Sequence, residues 1–117
     1  MVYTAQSQAL AALEILVNVE SAELLAHYVV IEVVINPSFI AEVEISALPR
    51  NWRTDPPPAR IRTIGDHWIT QGGSAVLKVP SSVVPAESNF LLNPRHSDFH
   101  KLRIGKPTSF RFGRRLS

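Results

Sequence analysis

A tyrosine and a glutamate near the start of the chain are the residues best suited to chemistry. Glu14 falls in the segment "VYTAQSQALAALEILV", where Leu10, Leu13 and Val17 recur at the spacing of one buried helical stripe. The pattern places the carboxylate on that same stripe, at a position that periodicity would give to Leu or Val. A carboxylate held in a cleft has its basicity tuned by burial and pairs with a cationic or polar ligand. Tyr3, at the end of the preceding strand, would lie at the base of the same cleft.

A structural interpretation of Glu14 stays open beside this one. The carboxylate could equally reach water at the edge of the helix, or pair with a basic side chain from the end of the chain. Pattern alone does not choose between these interpretations.

Other catalytic constellations find no support in the sequence. His96 and His100 share an i,i+4 spacing, but no nearby acid completes a zinc-binding pattern, so no metal is predicted. The "QGGS" segment is typical of a turn rather than of a phosphate-binding loop, and no serine lies in a nucleophile elbow. Trp52 and Trp68 are predicted to be core or lid residues.

The elements that must position these residues predict an α+β or mixed α/β fold, with two main helices on one sheet. The first helix is predicted from about Gln6 to Asn18 and the second over "ARIRTIGDHWITQ", where Gly72 ends it. Strands are predicted in "VYTA", "YVVIEVVI", "FIAEVEI", "SAVLKVP" and "NFLLN". "FIAEVEI" alternates apolar and acidic residues, which is typical of an edge or half-exposed strand.

Two further expectations concern how strands are placed. The β-branched segment from Tyr28 to Ile35 is predicted to be a central strand covered on both sides. The segment "KLRIGKPTSFRF" is predicted to form a terminal hairpin that turns at Gly105 to Pro107.

The composition describes one ordinary globular domain. The chain has 117 residues, of which 45% are hydrophobic and 19% charged, and it contains no cysteine, so disulfides and cysteine-bound metals are excluded. No apolar run approaches the roughly 20 residues needed to cross a bilayer. The first residues also lack the pattern of a signal peptide. We therefore predict a cytoplasmic protein with no membrane contact.

The charge is distributed unevenly. Residues 1–49 contain six acidic residues and no Lys or Arg, whereas residues 95–117 contain seven basic residues and one acid. A basic tail can attract nucleic acid, or it can pack against the acidic half of its own domain. Few aromatic residues are interleaved for base stacking, so direct nucleic-acid binding is not predicted.

Long segments of the chain resemble the RES domain, a family named for its Arg, Glu and Ser residues. The resemblance rests on "VYTAQSQALAALEILVNV", then "LP", then "IGDHWITQGGSAVLKVPSSVVPAESNFLLNPRHSDF", and a closing "FRFGRRL". These segments follow one another in the family's order across essentially all of residues 1–117.

The resemblance implies a fold, an activity and a partner. RES proteins are toxins of bacterial toxin–antitoxin pairs, with a sheet similar to that of ADP-ribosyltransferases. Known members consume NAD by hydrolysis, by phosphorolysis or by ADP-ribosyl transfer. The expected partner is a helix-turn-helix antitoxin of the Xre type, with which the chain would form an oligomeric complex.

The resemblance also implies site residues. The family's tyrosine and the glutamate eleven positions later correspond to Tyr3 and Glu14, which would be catalytic. The candidates for its serine, and for NAD binding, are Ser74 and Ser81, on either side of "AVLKVP". The family's N-terminal arginines, expected to hold the NAD phosphates, have no counterpart before Arg50. We therefore expect a RES domain without its Arg-containing N-terminal segment, whose alternative function is non-catalytic antitoxin binding.

Overall fold

The structure, a computed structural model, describes residues 1–17, 28–54 and 59–110. It contains two helices and eight strands in this part of the chain. In chain order these are β1 (Val2–Ala5), α1 (Gln8–Leu16), β2 (Val29–Val30), β3 (Val33–Val34), β4 (Ile40–Glu42), α2 (Ala59–Gln71), β5 (Val76–Pro80), β6 (Ser88–Leu92), β7 (Arg103–Ile104) and β8 (Thr108–Ser109).

A four-stranded mixed sheet forms the centre of the fold, in the order β1-β6-β5-β4. β6 is antiparallel to both of its neighbours, and β4 runs parallel to β5. A parallel pair needs a long crossover connection, and here that connection includes α2. The predicted α+β class is confirmed, and "FIAEVEI" does supply an edge strand.

The second helix ends as its sequence predicts. α2 stops at Gln71, and Gly72 follows with a φ of 64°. This left-handed conformation is the usual end of a helix, and glycine adopts it without steric cost.

The two expectations about strand placement are wrong. The segment from Tyr28 to Ile35 contains only the short strands β2 and β3, outside the central sheet. They pair with β8 and β7, so the expected terminal hairpin does not pair with itself. Its backbone instead follows the earlier segment: the Gly105 N–H donates to the Glu32 carbonyl at 2.7 Å. The β-branched run suggested burial, yet several of its apolar side chains, such as Val29 and Val34, are exposed.

The two faces of the central sheet pack against different elements. On one, the closed face, Val76 and Leu92 form an apolar cluster with Leu102, flanked by side chains from the β3 and β7 region. On the other, the cavity face, Leu77 and Leu91 contact Trp68 of α2. Residues alternate between the faces because successive strand residues point to opposite sides.

Neither described helix is long and apolar enough to cross a membrane.

Candidate functional site

The orientation of α1 sets the direction of Glu14. Ser7 caps the helix, because its hydroxyl accepts a hydrogen bond from the Leu10 N–H at 3.1 Å. Leu10 is fully buried, and Glu14 lies one turn later on the same side. Leu13 and Val17, expected on the buried stripe, are 45% and 63% exposed. The predicted stripe is therefore wrong, and Leu10 and Glu14 define the inward side.

Two side chains hold the Glu14 carboxylate. The Asn89 amide donates from Nδ2 to Oε1 at 2.8 Å, and the Ser81 hydroxyl donates to Oε2 at 3.2 Å. Both donors are fully buried, with 0% exposure. Asn89 lies on β6 and Ser81 directly follows β5, so the central sheet fixes the position of a carboxylate that α1 carries.

The hydroxyl of Ser81 has its own hydrogen-bonding roles filled. Its oxygen accepts from the backbone N–H groups of Val83 at 3.1 Å and Val84 at 3.2 Å. A serine hydroxyl offers one donor and two acceptor positions. With both acceptor positions occupied, the proton of Ser81 points to Glu14.

Tyr3 joins the same cluster from β1. Its hydroxyl donates to Asn89 Oδ1 at 2.9 Å, and the side chain as a whole remains 62% exposed. Burial of the phenol group raises the pKa of Tyr3 to about 12, and the neighbouring Glu14 carboxylate adds to the rise. Because these effects disfavour the phenolate, Tyr3 carries its proton at neutral pH.

A cavity of about 1030 Å³ opens between α1 and α2, with the cavity face of the sheet as its floor. Its volume is at the upper end of the roughly 300–1,000 Å³ typical of small-molecule sites. Tyr3 and Glu14 lie in its wall together with Trp52 and Arg53. The cavity thus offers a carboxylate, a phenol, an indole and a guanidinium to one ligand.

The two serine candidates lie at opposite ends of β5. Ser81 contacts Glu14, whereas Ser74 accepts a hydrogen bond from Trp68 Nε1 at 2.8 Å and donates to the Val76 carbonyl at 2.9 Å. The structure therefore brings Tyr3, Glu14 and Ser81 into one cluster and places Ser74 outside it. Trp68 is buried in the core, and Trp52 is in the cavity wall.

Sequence reasoning missed Asn89 and Arg53. Asn89 is the centre of the polar cluster, but in "ESNFLLN" it looks like an ordinary residue at the start of a strand. The signal was its alternation with Leu91, which places a polar side chain on a buried face. Arg53 lies in a loop, where its Nε donates to the Ser82 carbonyl at 2.9 Å. No local pattern links that loop to the cavity.

The histidine pair predicted not to bind metal is arranged around other contacts. His96 Nδ1 accepts a hydrogen bond from the Asp98 N–H at 3.0 Å, and the Asp98 carboxylate pairs with Lys101 at 3.1 Å. Within residues 1–17, 28–54 and 59–110, no group of three or more His, Asp or Glu side chains is placed to hold a metal ion.

The fold and its cluster define a small α+β protein with a cleft built around one carboxylate. The chain belongs to the RES domain family, whose model matches residues 1–113. It is 40% identical over 116 residues to Toxin Res of Yersinia enterocolitica, covering 98% of this chain and 76% of that protein.

Two further relatives support this assignment. Toxin Res of Photorhabdus laumondii is 40% identical over 100 residues, covering 86% of this chain and 64% of the relative. The Prs ADP-ribosylating toxin of a Sphingobium species is 31% identical over 119 residues, covering 99% of this chain and 74% of that toxin. The chain thus spans between 64% and 76% of the length of these three relatives.

Proposed function

We propose that this protein is a toxin that consumes NAD, with Glu14 as its catalytic carboxylate. The observation that carries the proposal is the Glu14 side chain, held in a cavity wall by two fully buried donors. A relative named as an ADP-ribosylating toxin supports the choice of NAD, because NAD is the usual donor of ADP-ribose.

The chemistry of NAD consumption suits a fixed carboxylate. The bond between the ribose C1′ and the nicotinamide nitrogen breaks, and the bonding electrons leave with nicotinamide. Positive charge develops on the ribose, as in the oxocarbenium-like transition state of glycoside cleavage. A carboxylate already oriented at the site stabilises that charge without reorganising. A water, a phosphate or a protein nucleophile then forms the new bond to C1′.

The neighbouring residues divide the remaining tasks. Ser81 is a positioning residue in this proposal, because it is fully buried and directs its proton to Glu14. Tyr3 meets the ligand directly, since it lines the cavity. Arg53 brings a cation to the same wall and suits an anionic group such as the NAD diphosphate.

Release of nicotinamide tests the proposed activity. The purified protein is incubated with NAD, with and without phosphate, and with and without a cell extract that supplies protein acceptors. Nicotinamide release in buffer alone indicates hydrolysis, release that requires phosphate indicates phosphorolysis, and labelling of extract protein indicates ADP-ribosyl transfer. No release under any of these conditions contradicts the proposal.

Glu14→Gln tests the proposed catalytic residue. The substitution keeps the size of the side chain and one acceptor but removes the charge. Nicotinamide release should fall on the order of a hundredfold or more, as when one key electrostatic group is lost. The free energy of unfolding should fall by no more than about 1–2 kcal/mol, the scale of a weakened hydrogen bond.

A purely structural Glu14 predicts the reverse pattern. The variant would then lose about 1–3 kcal/mol of unfolding free energy because a buried donor of Asn89 or Ser81 loses its acceptor, with turnover per folded molecule unchanged. Melting and turnover measured on one preparation separate the two outcomes. A destabilised but fully active variant would remove Glu14 from the site.

A second candidate function is antitoxin binding without turnover. It is favoured by an exposed apolar side chain on α1, Leu13, which is 45% exposed. The partner expected from the family resemblance is a helix-turn-helix protein of the Xre type, encoded by a neighbouring gene. Co-purification with that protein at micromolar concentration tests this function.

The binding surface can be tested with a matched pair of variants. Leu13→Asp should weaken the complex at least tenfold, since it places a charge at an apolar contact. Ile45→Asp, at another exposed apolar residue, should leave the affinity unchanged. Equal effects of the two variants would remove α1 from the interface.

A further inference from the structure

Asn89 occupies a position that the surrounding pattern would give to an apolar residue. It lies on the cavity face of β6, between strands β1 and β5, and is fully buried. Its cross-strand partners are Ala5 and Val79, both apolar. An amide buried at such a site is stable only when its polar atoms are hydrogen-bonded.

The contacts of Asn89 fix which way its amide points. One end faces two acceptors, the Thr4 carbonyl at 3.1 Å and Glu14 Oε1 at 2.8 Å. A backbone carbonyl and an ionised carboxylate can only accept, so this end must be the NH₂ group. The other end is therefore the carbonyl oxygen Oδ1, which can only accept.

The orientation of Asn89 in turn fixes the proton of Tyr3. The Tyr3 hydroxyl lies 2.9 Å from Oδ1, and a hydrogen bond between them requires Tyr3 to donate. The phenol proton is committed to the protein, and the oxygen lone pairs remain to accept. Ser81 commits its proton to Glu14 in the same way.

We propose that Asn89 is a second positioning residue of the site, beside Ser81, and that it sets the hydrogen-bonding polarity of this wall. Asn89 donates to Glu14 and accepts the hydrogen bond of the Tyr3 hydroxyl. At these two residues the wall therefore offers a ligand only hydrogen-bond acceptors. At Tyr3 and Glu14 the wall binds ligand groups that donate, namely hydroxyls and carboxamide NH₂ groups, and repels carboxylates, whereas Arg53 supplies the cation for an anionic group elsewhere on the ligand. Together with the proposed function, on which this step rests, the acceptor groups favour binding of NAD. They disfavour the related dinucleotide in which nicotinic acid replaces nicotinamide.

Asn89→Asp, with Asn93→Asp as its control, tests the assignment without any ligand. Asn93 is also buried, but its Oδ1 accepts from the Arg95 N–H at 3.1 Å, a role that a carboxylate keeps. In Asn89→Asp, the new carboxyl group faces the Glu14 carboxylate and the Thr4 carbonyl. Burial and the like charge raise its pKa above the ordinary value of about 3.9.

The expected signature is a pH dependence of stability. A carboxyl group with a raised folded-state pKa favours the folded protein in its protonated form, and this stabilisation is lost as pH rises. The melting temperature of Asn89→Asp should therefore fall well below that of wild type at neutral pH and approach it as pH falls toward about 4. Asn93→Asp should show a much smaller pH-dependent difference. Matching pH profiles for the two variants would overturn the assignment.

Turnover tests the same assignment at the ligand. Asn89→Asp should lower kcat for nicotinamide release on the order of a hundredfold, with a smaller change in KM, because Glu14 loses its orientation. In wild type, kcat/KM should be on the order of a hundredfold higher for NAD than for the nicotinic acid counterpart. Equal values of kcat/KM would overturn the polarity of the wall. If neither dinucleotide is cleaved, the proposed function fails, and the pH profiles still decide the role of Asn89.

Discussion

Neighbouring residues of β6 meet opposite surroundings on the two faces of the central sheet. Leu92 points to the closed face, where it is 2% exposed within a continuous apolar cluster. Leu91 and Asn89 point to the cavity face, where the floor of an open cleft adjoins the buried polar cluster. The alternation of a strand thus lets one short segment pack the core on one side and support the candidate site on the other. The polar group is tolerated because both ends of the Asn89 amide are hydrogen-bonded.

Replacing a leucine by alanine on each face should destabilise the protein to different extents. Leu92→Ala leaves a void in a filled cluster and should cost about 2–5 kcal/mol of unfolding free energy. Leu91→Ala should cost less, because that side chain already borders the cavity and loses fewer packing contacts. Urea unfolding of both variants gives the two values. If Leu91→Ala costs as much as Leu92→Ala, the two faces do not differ in packing as described.

The two serines on either side of β5, Ser74 and Ser81, should differ in their effect on turnover but not in their effect on stability. Ser81→Ala removes the acceptor of two backbone N–H groups and the donor to Glu14, and Ser74→Ala removes the acceptor of the Trp68 indole N–H. Each should cost about 1–3 kcal/mol. Only Ser81→Ala should also lower nicotinamide release, by about tenfold, because Ser81 is the one of these two serines that donates to Glu14. Equal losses of turnover per folded molecule would place both serines in the site, or neither.

Alkaline pH should have a smaller effect on stability, through the ionisation of Tyr3 at the edge of the cavity face. The pKa of Tyr3 is raised from 10.0 to about 12, so the unfolded chain releases this proton before the folded one. The resulting stabilisation is complete below pH 10 and is lost as pH rises through about 12. The difference in phenolate absorbance between wild type and Tyr3→Phe isolates this one group. In a Glu14→Gln background the same titration should shift to lower pH, though burial keeps most of the rise. A Tyr3 midpoint at the ordinary value would contradict the cluster.

Local patterns explain what could be predicted from the sequence. The second helix and its glycine end are local features, and the structure confirms them. The break in apolar periodicity indicated Glu14 as a candidate residue. The strand before the helix indicated Tyr3. The role of Asn89 could not be predicted from the sequence, because its contacts with Glu14 and Tyr3 join positions 75 and 86 residues apart. The prediction for Leu13 and Val17 was also wrong, since only tertiary packing decides which side of a short apolar helix turns inward.

The prediction of a central strand from Tyr28 to Ile35 was wrong for a related physical reason. A β-branched run favours extended backbone, but propensity does not say which partner the backbone finds. Here the run from Tyr28 to Ile35 pairs with residues 103–110, which were expected to pair among themselves. Gly105 lies at a close approach between these two segments, which are distant in sequence. A Cβ atom at this position would lie 3.1 Å from the Glu32 carbonyl oxygen.

The pairing of the first strand with the sixth has a consequence for how the protein is made. Tyr3 and Glu14 leave the ribosome early, but their partner Asn89 lies 86 and 75 residues further along the chain. At about 5–20 residues per second, synthesis takes roughly 4–17 s to bridge such a distance. During that interval the carboxylate has neither Ser81 nor Asn89 to orient it, and β1 has no strand to join. The cluster around Glu14 is therefore completed late in synthesis, only after Asn89 has been translated.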